Sequence, residues 1–439
     1  MSKIKDEEAG PRILLLATCD TKMEEITFIH DRLTSIDPRS RPIVMDMGRT
    51  PASNPLISIS HSDIFSGEAP SDLSSLPRGE YSSLMIEAAT AYVREHLLPS
   101  PSSSSSSSSP QIHAVLGIGG STGSSIIAAI MRGAAPVGLP KLLVSTMASG
   151  DVGPLVGGAD MTLMYSVTDI AGLNFLSERV LGNAAAAIAG MASAYFRDAE
   201  PREQQQGKRR KKRIAVTMFG VTTPGVDAIR SILSSRGAEV VVFHATGSGG
   251  RAMEALVRQG EFDGIVDLTT TEIADEVGGG VLSAGPDRLA AGADAGVPMV
   301  VSVGACDMVN FGPRGTVSAE LLAAADRGER KLYVHNPMVT LMRTTREENA
   351  RIAEFIVDKL LKARRKDLVK VVIPTGGISM ISGTGGLFED QEADEALFRG
   401  IEDGLKGSGI DVIKSEGLGI NDQEFAQHVV KVLGDLGLP

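Results

Sequence analysis

Chemistry in this chain is most concentrated where glycines and hydroxyl-bearing residues share a turn. The densest such stretch is Gly117-Ile118-Gly119-Gly120-Ser121-Thr122-Gly123-Ser124-Ser125, which opens an apolar helical run from Ile126 to Met131. Glycines let the backbone approach a ligand with no Cβ in the way. The N–H groups of a first helical turn, helped by the helix dipole, then attract an anion. Gly119, Gly120, Ser121, Thr122 and Gly123 are therefore candidates to hold a phosphate. The stretch is not a P-loop, because no Lys follows the glycines, and Thr122 stands where the last glycine of Gly-x-Gly-x-x-Gly belongs. A purely structural glycine turn is the competing reading.

Two further turns are candidates alongside it. Thr18-Cys19-Asp20-Thr21-Lys22 follows an apolar run, and its Thr18, Asp20, Thr21 and Lys22 side chains suit a phosphate, a ribose or a metal; a plain helix cap is the alternative. Ser145-Thr146-Met147-Ala148-Ser149-Gly150-Asp151 follows another, offering Ser149, Gly150 and Asp151. The second half repeats the theme with Gly220, Thr222 and Thr223, then Thr246, Gly247 and Arg251, then Thr270 and Thr271 as candidates for a second ligand. His244, beside a glycine loop, is the best general acid or base among the seven histidines, with Glu272 and Asp307 as acidic candidates. Such acids could also bind Mg²⁺ alongside phosphates. Gly376-Gly377 and Gly383-Thr384-Gly385-Gly386 read as structural turns, with lining of the cleft as the alternative.

These turns need strands and helices to position them. Short continuous apolar runs suit strands covered on both faces. They fall at Arg12–Ala17, Ile43–Met45, Ala114–Ile118 and Lys141–Ser145 in the first half. In the second half they fall at Ile214–Met218, Glu239–Phe243, Gly264–Leu268, Met299–Val303, Lys331–Val334 and Val369–Pro374. Thr21 with Glu24, and Thr269 with Glu272, have capping-box spacing, and Thr223 precedes a helix-starting Pro224. Strand, turn and helix alternate throughout. The expected class is α/β, with two Rossmann-like, doubly wound parallel-sheet domains whose ligands bind beyond the carboxyl ends of the strands.

A low-complexity run, Ser102 to Ser109, reads as a disordered loop (100–110) inside the first domain. The basic stretch 201–213 reads as an interdomain linker, giving domains at 1–200 and 214–439.

Composition excludes several function classes. A net charge of -11 argues against general nucleic-acid binding. Two cysteines far apart exclude a disulfide framework or a cysteine-based zinc site, and no metal centre is expected. No apolar stretch is long enough to span a bilayer, and the polar, acidic first ten residues do not read as a signal peptide, so a cytoplasmic address is expected.

A family resemblance rests on long motifs in order. They are Thr18-Cys19-Asp20-Thr21-Lys22, Gly119-Gly120-Ser121-Thr122-Gly123, Ser145 through Val152, and Met164-Tyr165-Ser166-Val167-Thr168-Asp169. Thr217 through Pro224, Phe243 through Gly247, Asp267 through Glu272, Leu282 through Arg288, Asp307 through Gly312 and Asn336 through Thr345 follow. With these motifs the chain resembles the Tm-type ATP-binding family, a two-domain family of tobamovirus-replication-inhibitor-like proteins, over nearly its whole length. The resemblance implies two Rossmann-like domains, ATP as ligand with Tyr165 among its contacts, and a homodimer. In plants and fungi the unit is often fused to a C-terminal TIM-barrel-like domain, which is not in this sequence. The chain departs from the family at the serine run. It departs again at Pro374-Thr375-Gly376-Gly377, which lacks a basic residue before the second glycine.

The expected function is ATP binding, with an unassigned reaction that uses ATP or a phosphorylated metabolite together with a second small molecule. The alternative is a nucleotide-responsive module read by a protein partner. An NAD-dependent dehydrogenase is less favoured, because the dinucleotide fingerprint fails at Thr122.

Overall fold

The computed structural model describes residues 10–66, 73–98, 111–199 and 211–439. The serine run and most of the basic stretch, for which a loop and a linker are expected, lie outside these residues. The chain divides into two compact units, Met1–Lys208 and Arg209–Pro439.

The first unit holds six parallel strands: β1 (Arg12–Ala17), β2 (Arg41–Asp46), β3 (Ile57–Ile59), β4 (Ala114–Gly119), β5 (Lys141–Ser145) and β6 (Thr162–Tyr165). Their order across the sheet is β3-β2-β1-β4-β5-β6. Side chains alternate along a strand, so β1 feeds two cores. Leu14 and Leu16 pack under helices 78–96 and 121–134, through Met85, Ala89, Ile127 and Met131. Ile13, Leu15 and Ala17 pack under helices 19–36 and 175–199, through Ile26, Ile29, Ala185 and Ile188. Burial on both faces explains why these strands read as unbroken apolar runs.

The second unit has six parallel strands as well: β7 (Arg213–Met218), β8 (Glu239–His244), β9 (Gly264–Thr269) and β10 (Met299–Gly304), followed after an insertion by β14 (Val369–Pro374) and β15 (Asp411–Ser415). The order is β15-β14-β10-β9-β7-β8. The insertion is a three-stranded antiparallel sheet of β11 (Met308–Phe311), β12 (Leu332–Asn336) and β13 (Val339–Arg343), in the order β11-β13-β12. Lys331–Val334, expected among the parallel strands, is therefore displaced: it becomes β12, the exposed edge of the small sheet. Asn336 and Pro337 turn the chain straight back, which favours a hairpin over a crossover.

The expected helix caps shift. Helix 19–36 starts after Thr18, so Thr21 lies inside the first turn, and the Thr18 and Thr21 hydroxyls meet at 3.0 Å. Thr269 ends β9 while the next helix starts at Thr271, which breaks the capping-box register. Thr222 takes the N-cap position expected of Thr223, with Pro224 still in the first turn. A reciprocal capping box forms elsewhere, between Thr345 and Glu348 at the start of helix 346–361. Among the described residues, no helix is long and apolar enough to cross a membrane.

Candidate functional site: an anion cleft at the switch point of the first sheet

In the first unit, β1 and β4 are neighbours, yet the helices that follow them lie on opposite faces of the sheet. That is a topological switch point, where the two outgoing loops part and leave a crevice. A cleft of about 320 Å³ opens there. From the β1 side it is lined by Thr18, Asp20, Thr21 and Lys22, and from the β4 side by Gly120, Ser121, Thr122 and Gly123.

The β4 turn is tight because Gly119 allows it. A Cβ on Gly119 would stand 2.6 Å from the Ser124 amide nitrogen. Ser124 then fixes the turn from within, donating to the Gly119 carbonyl at 2.9 Å and sharing a 2.6 Å hydrogen bond with Ser145 at the end of β5. The helix 121–134 begins with Gly120 at its N-cap and no side chain capping it. Its first N–H groups therefore retain their capacity for an external acceptor.

Two arginines that carry no sequence motif complete the cleft, Arg49 and Arg78. Arg49 is fixed: its guanidinium donates to the Ser74 carbonyl at 2.7 Å and also to the Leu76 carbonyl, and it lies 5.6 Å from the centre of the Tyr81 ring. Asp20 shapes the same loop, accepting the Arg49 N–H at 2.9 Å. Lys22 and Arg78 form no ion pair with the described residues. The cleft thus combines three cationic side chains, a helix N-terminus and hydroxyls, with Asp20 as the carboxylate on its wall. Its chemistry is that of an anion receptor.

Other residues of the motifs stand apart. Ser149, Gly150 and Asp151 lie beyond β5, where Asp151 accepts the Gly153 N–H at 2.9 Å. Tyr165 ends β6 and is exposed. None of the four lines the cleft. Cys19 is buried, and burial together with the neighbouring Asp46 pushes its thiol far above the ordinary range, so it is not a nucleophile.

The second unit treats its motif residues differently. Its switch point lies between β7 and β9, but Thr222, Thr270 and Thr271 are buried there. The Thr222 hydroxyl meets Thr269 at 2.8 Å, and Thr270 donates to the Ser302 carbonyl at 2.9 Å. The Val221 carbonyl accepts from Met380 N–H and from the Asn421 side chain, both at 2.9 Å, so chain from near β14 and β15 covers the crevice. Glu272 is fully buried and has a structural job. It accepts from the Gly247 and Gly250 N–H groups at 2.6 and 3.0 Å and from Arg288 at 2.7 Å. Gly247 has a φ of +82°, in the left-handed region that suits glycine.

His244 is exposed and sits 5.7 Å from the Phe219 ring, whereas Asp307 is fully buried. Asp307 accepts from the Ser379 hydroxyl at 2.7 Å, and burial raises its carboxyl above the usual range. Arg251 donates to the Ser283 carbonyl at 2.9 Å, while Gly220 is exposed and Thr223 and Thr246 are half-buried. The three acid–base candidates His244, Glu272 and Asp307 make no mutual hydrogen bond.

Residues 11–197 match the N-terminal domain, and residues 211–436 the C-terminal domain, of an uncharacterised protein family, UPF0261. The chain belongs to this family. It is 41% identical over 425 residues to a UPF0261 protein of Clostridium tetani, covering 96% of this chain and 98% of that one. Identity is 42% over 423 residues to a UPF0261 protein of Mesorhizobium japonicum, with the same coverage. The ToMV resistance protein Tm-1 of tomato, Solanum lycopersicum, is 36% identical over an alignment of 442 residues that covers 96% of this chain but 55% of that protein. The Tm-type resemblance read from the motifs and this membership are one and the same family.

Proposed function

We propose that this UPF0261 protein binds a nucleotide, ATP by preference, with its phosphates on Gly120–Gly123 and between Lys22 and Arg78. The observation that supports this most is the meeting of an uncapped helix N-terminus with three cationic side chains at the switch point of the first sheet. ATP rather than another phosphate follows from the Tm-type resemblance. Mg²⁺ would arrive on the nucleotide's own phosphates, since no group of three metal-ligating side chains occurs among the described residues. The reaction is one on a second small molecule.

A dinucleotide is less well supported. The acid that would meet a ribose at the end of β2 is Asp46, and it is buried, accepting from the N–H groups of Cys19, Gly48 and Ala52. The glycine turn also follows β4, not β1.

The test is calorimetric titration with Mg·ATP of the natural chain and a Gly120→Asp variant. Gly120 has ordinary φ of −76°, and a Cβ there meets nothing within 4 Å. The substitution therefore adds a negative charge without a steric penalty. Saturable binding that the variant loses supports the reading; no binding by the natural chain ends it.

A further inference from the structure

A larger cleft, about 550 Å³, lies in the second unit at the carboxyl end of β14, lined there by Thr375, Gly376 and Gly377. Its opposite wall is the first two turns of helix 391–405. The volume suits a ligand of sugar size. None of the three acid–base candidates read from the sequence lines it.

One group in this wall is built for a partner. Asp394 is only 8% exposed, yet it lines the cleft. Its Oδ1 accepts from Arg343 at 2.5 Å, while Oδ2 takes no hydrogen bond from the described residues. Arg343 is itself immobilised by the carbonyls of Phe388, Thr344 and Asp390 at 2.8, 3.1 and 3.2 Å. The helix start is pinned by Asn349, which donates to the Ala393 carbonyl at 2.8 Å. The carboxylate is held in place by Arg343, and its second oxygen faces solvent in the cleft, available to a donor from a ligand.

The rest of the lining says which donor. Five carboxylates, those of Glu389, Asp390, Glu392, Asp394 and Glu395, stand against Arg346 and Arg399. Arg399 is already paired with Glu395 at 2.6 Å. An anion would be repelled and a cation drawn in. The Phe398 ring gives an apolar surface for a carbon skeleton, and the exposed Thr384 hydroxyl, unengaged by the described residues, can bond a ligand hydroxyl.

We propose that this cleft is a second small-molecule site, for a hydroxylated amine whose ammonium group is received by Asp394. The site lies wholly in the second unit and stands or falls independently of the anion cleft in the first. Burial first, then the like charges of Asp307 and Asp390, lift the Asp394 carboxyl to about 7 against the opposing pull of Arg343. An ammonium group takes the ionised form, so affinity rises with pH through neutrality.

The experiment is calorimetric titration of the full chain with N-methylglucamine, an amine that stays protonated through this range, and with sorbitol as its uncharged counterpart. The expected result is saturable binding of the amine alone, tightening about tenfold from about pH 6 to about pH 8. Asp394→Asn should weaken it by about tenfold or more and remove the pH dependence. Thr384→Arg changes an exposed residue of the cleft and should weaken the amine by charge repulsion with the fold intact. Failure of the amine to saturate, equal binding of sorbitol, or natural affinity in both variants overturns the proposal.

Discussion

Arg288 and Asp267 form a two-pronged ion pair that solvent does not reach: both side chains are fully buried, and the guanidinium Nη2 stands 2.6 Å from Asp267 Oδ1. The same arginine donates to Glu272, and beside it Glu254 accepts the N–H groups of Leu289 and Ala291, both at 2.7 Å. One cation thus serves three acids at the heart of the second sheet.

Replacing Arg288 with Met should destabilise the second unit by about 3–5 kcal/mol, because the acids are left buried without their counter-charge. Urea denaturation followed by circular dichroism measures this. A loss below about 1 kcal/mol would mean that the acids had simply taken up protons at little cost.

The anion cleft gives a second expectation. Lys22→Gln and Arg78→Gln should each weaken Mg·ATP by about tenfold, and added salt should weaken it further. Stability should move by no more than about 0.5 kcal/mol, since neither side chain pairs with a described residue. Unchanged affinity in both variants would place the phosphates elsewhere.

Both cysteines should resist alkylation in the native protein. Cys19 and Cys306 are buried, and burial lifts the Cys306 thiol to about 12. Iodoacetamide labelling followed by mass spectrometry should find both modified in urea and neither in buffer. Rapid native labelling of Cys19 would mean that the β1 turn opens frequently.

Asp275 sets a pH dependence with an unusual sign. Burial raises its carboxyl to about 7, although it accepts from Leu282 N–H and from Asn310. A folded-state value above the unfolded one means that the folded protein holds the proton more tightly. The resulting stability is present in full below the unfolded value of about 3.9 and is lost as pH rises through about 7. Asp275→Asn should flatten that part of the stability–pH curve, by at most about 1.4 kcal/mol per pH unit. An identical slope in the variant would assign the effect to other groups.

How much of this was readable beforehand depends on which contacts are local. Strands such as Arg12–Ala17 and Gly264–Thr269 are covered on both faces and announce themselves as apolar runs. Ile57–Ile59 is too short to do so, and Asp411–Ser415, at a sheet edge, is half polar. The turns Thr18–Lys22 and Gly120–Gly123 were each visible, but their meeting depends on strand order, which no local pattern states. Arg49 and Arg78 belong to no motif at all. The hydroxyls of Thr222 and Thr270 looked available because the segments that cover them come from 150 residues and more downstream or from a neighbouring strand. Glu272 looked like a capping residue or a base because spacing does not show that Arg288, 16 residues on, folds back to meet its carboxylate.

The two strand orders carry one more consequence. Numbered along each unit, the first sheet runs 3-2-1-4-5-6 and the second 2-1-3-4-5-6. The outgoing crevice lies between strands one and four in the former and between strands one and three in the latter. The halves are therefore not interchangeable copies, and a role assigned to a turn in one cannot be carried to the turn of the same ordinal in the other. Gly120 opens a helix toward the anion cleft, while Gly247 is clamped by a buried glutamate. Pairing the halves by their glycine-rich turns would align a doorway with a hinge pin.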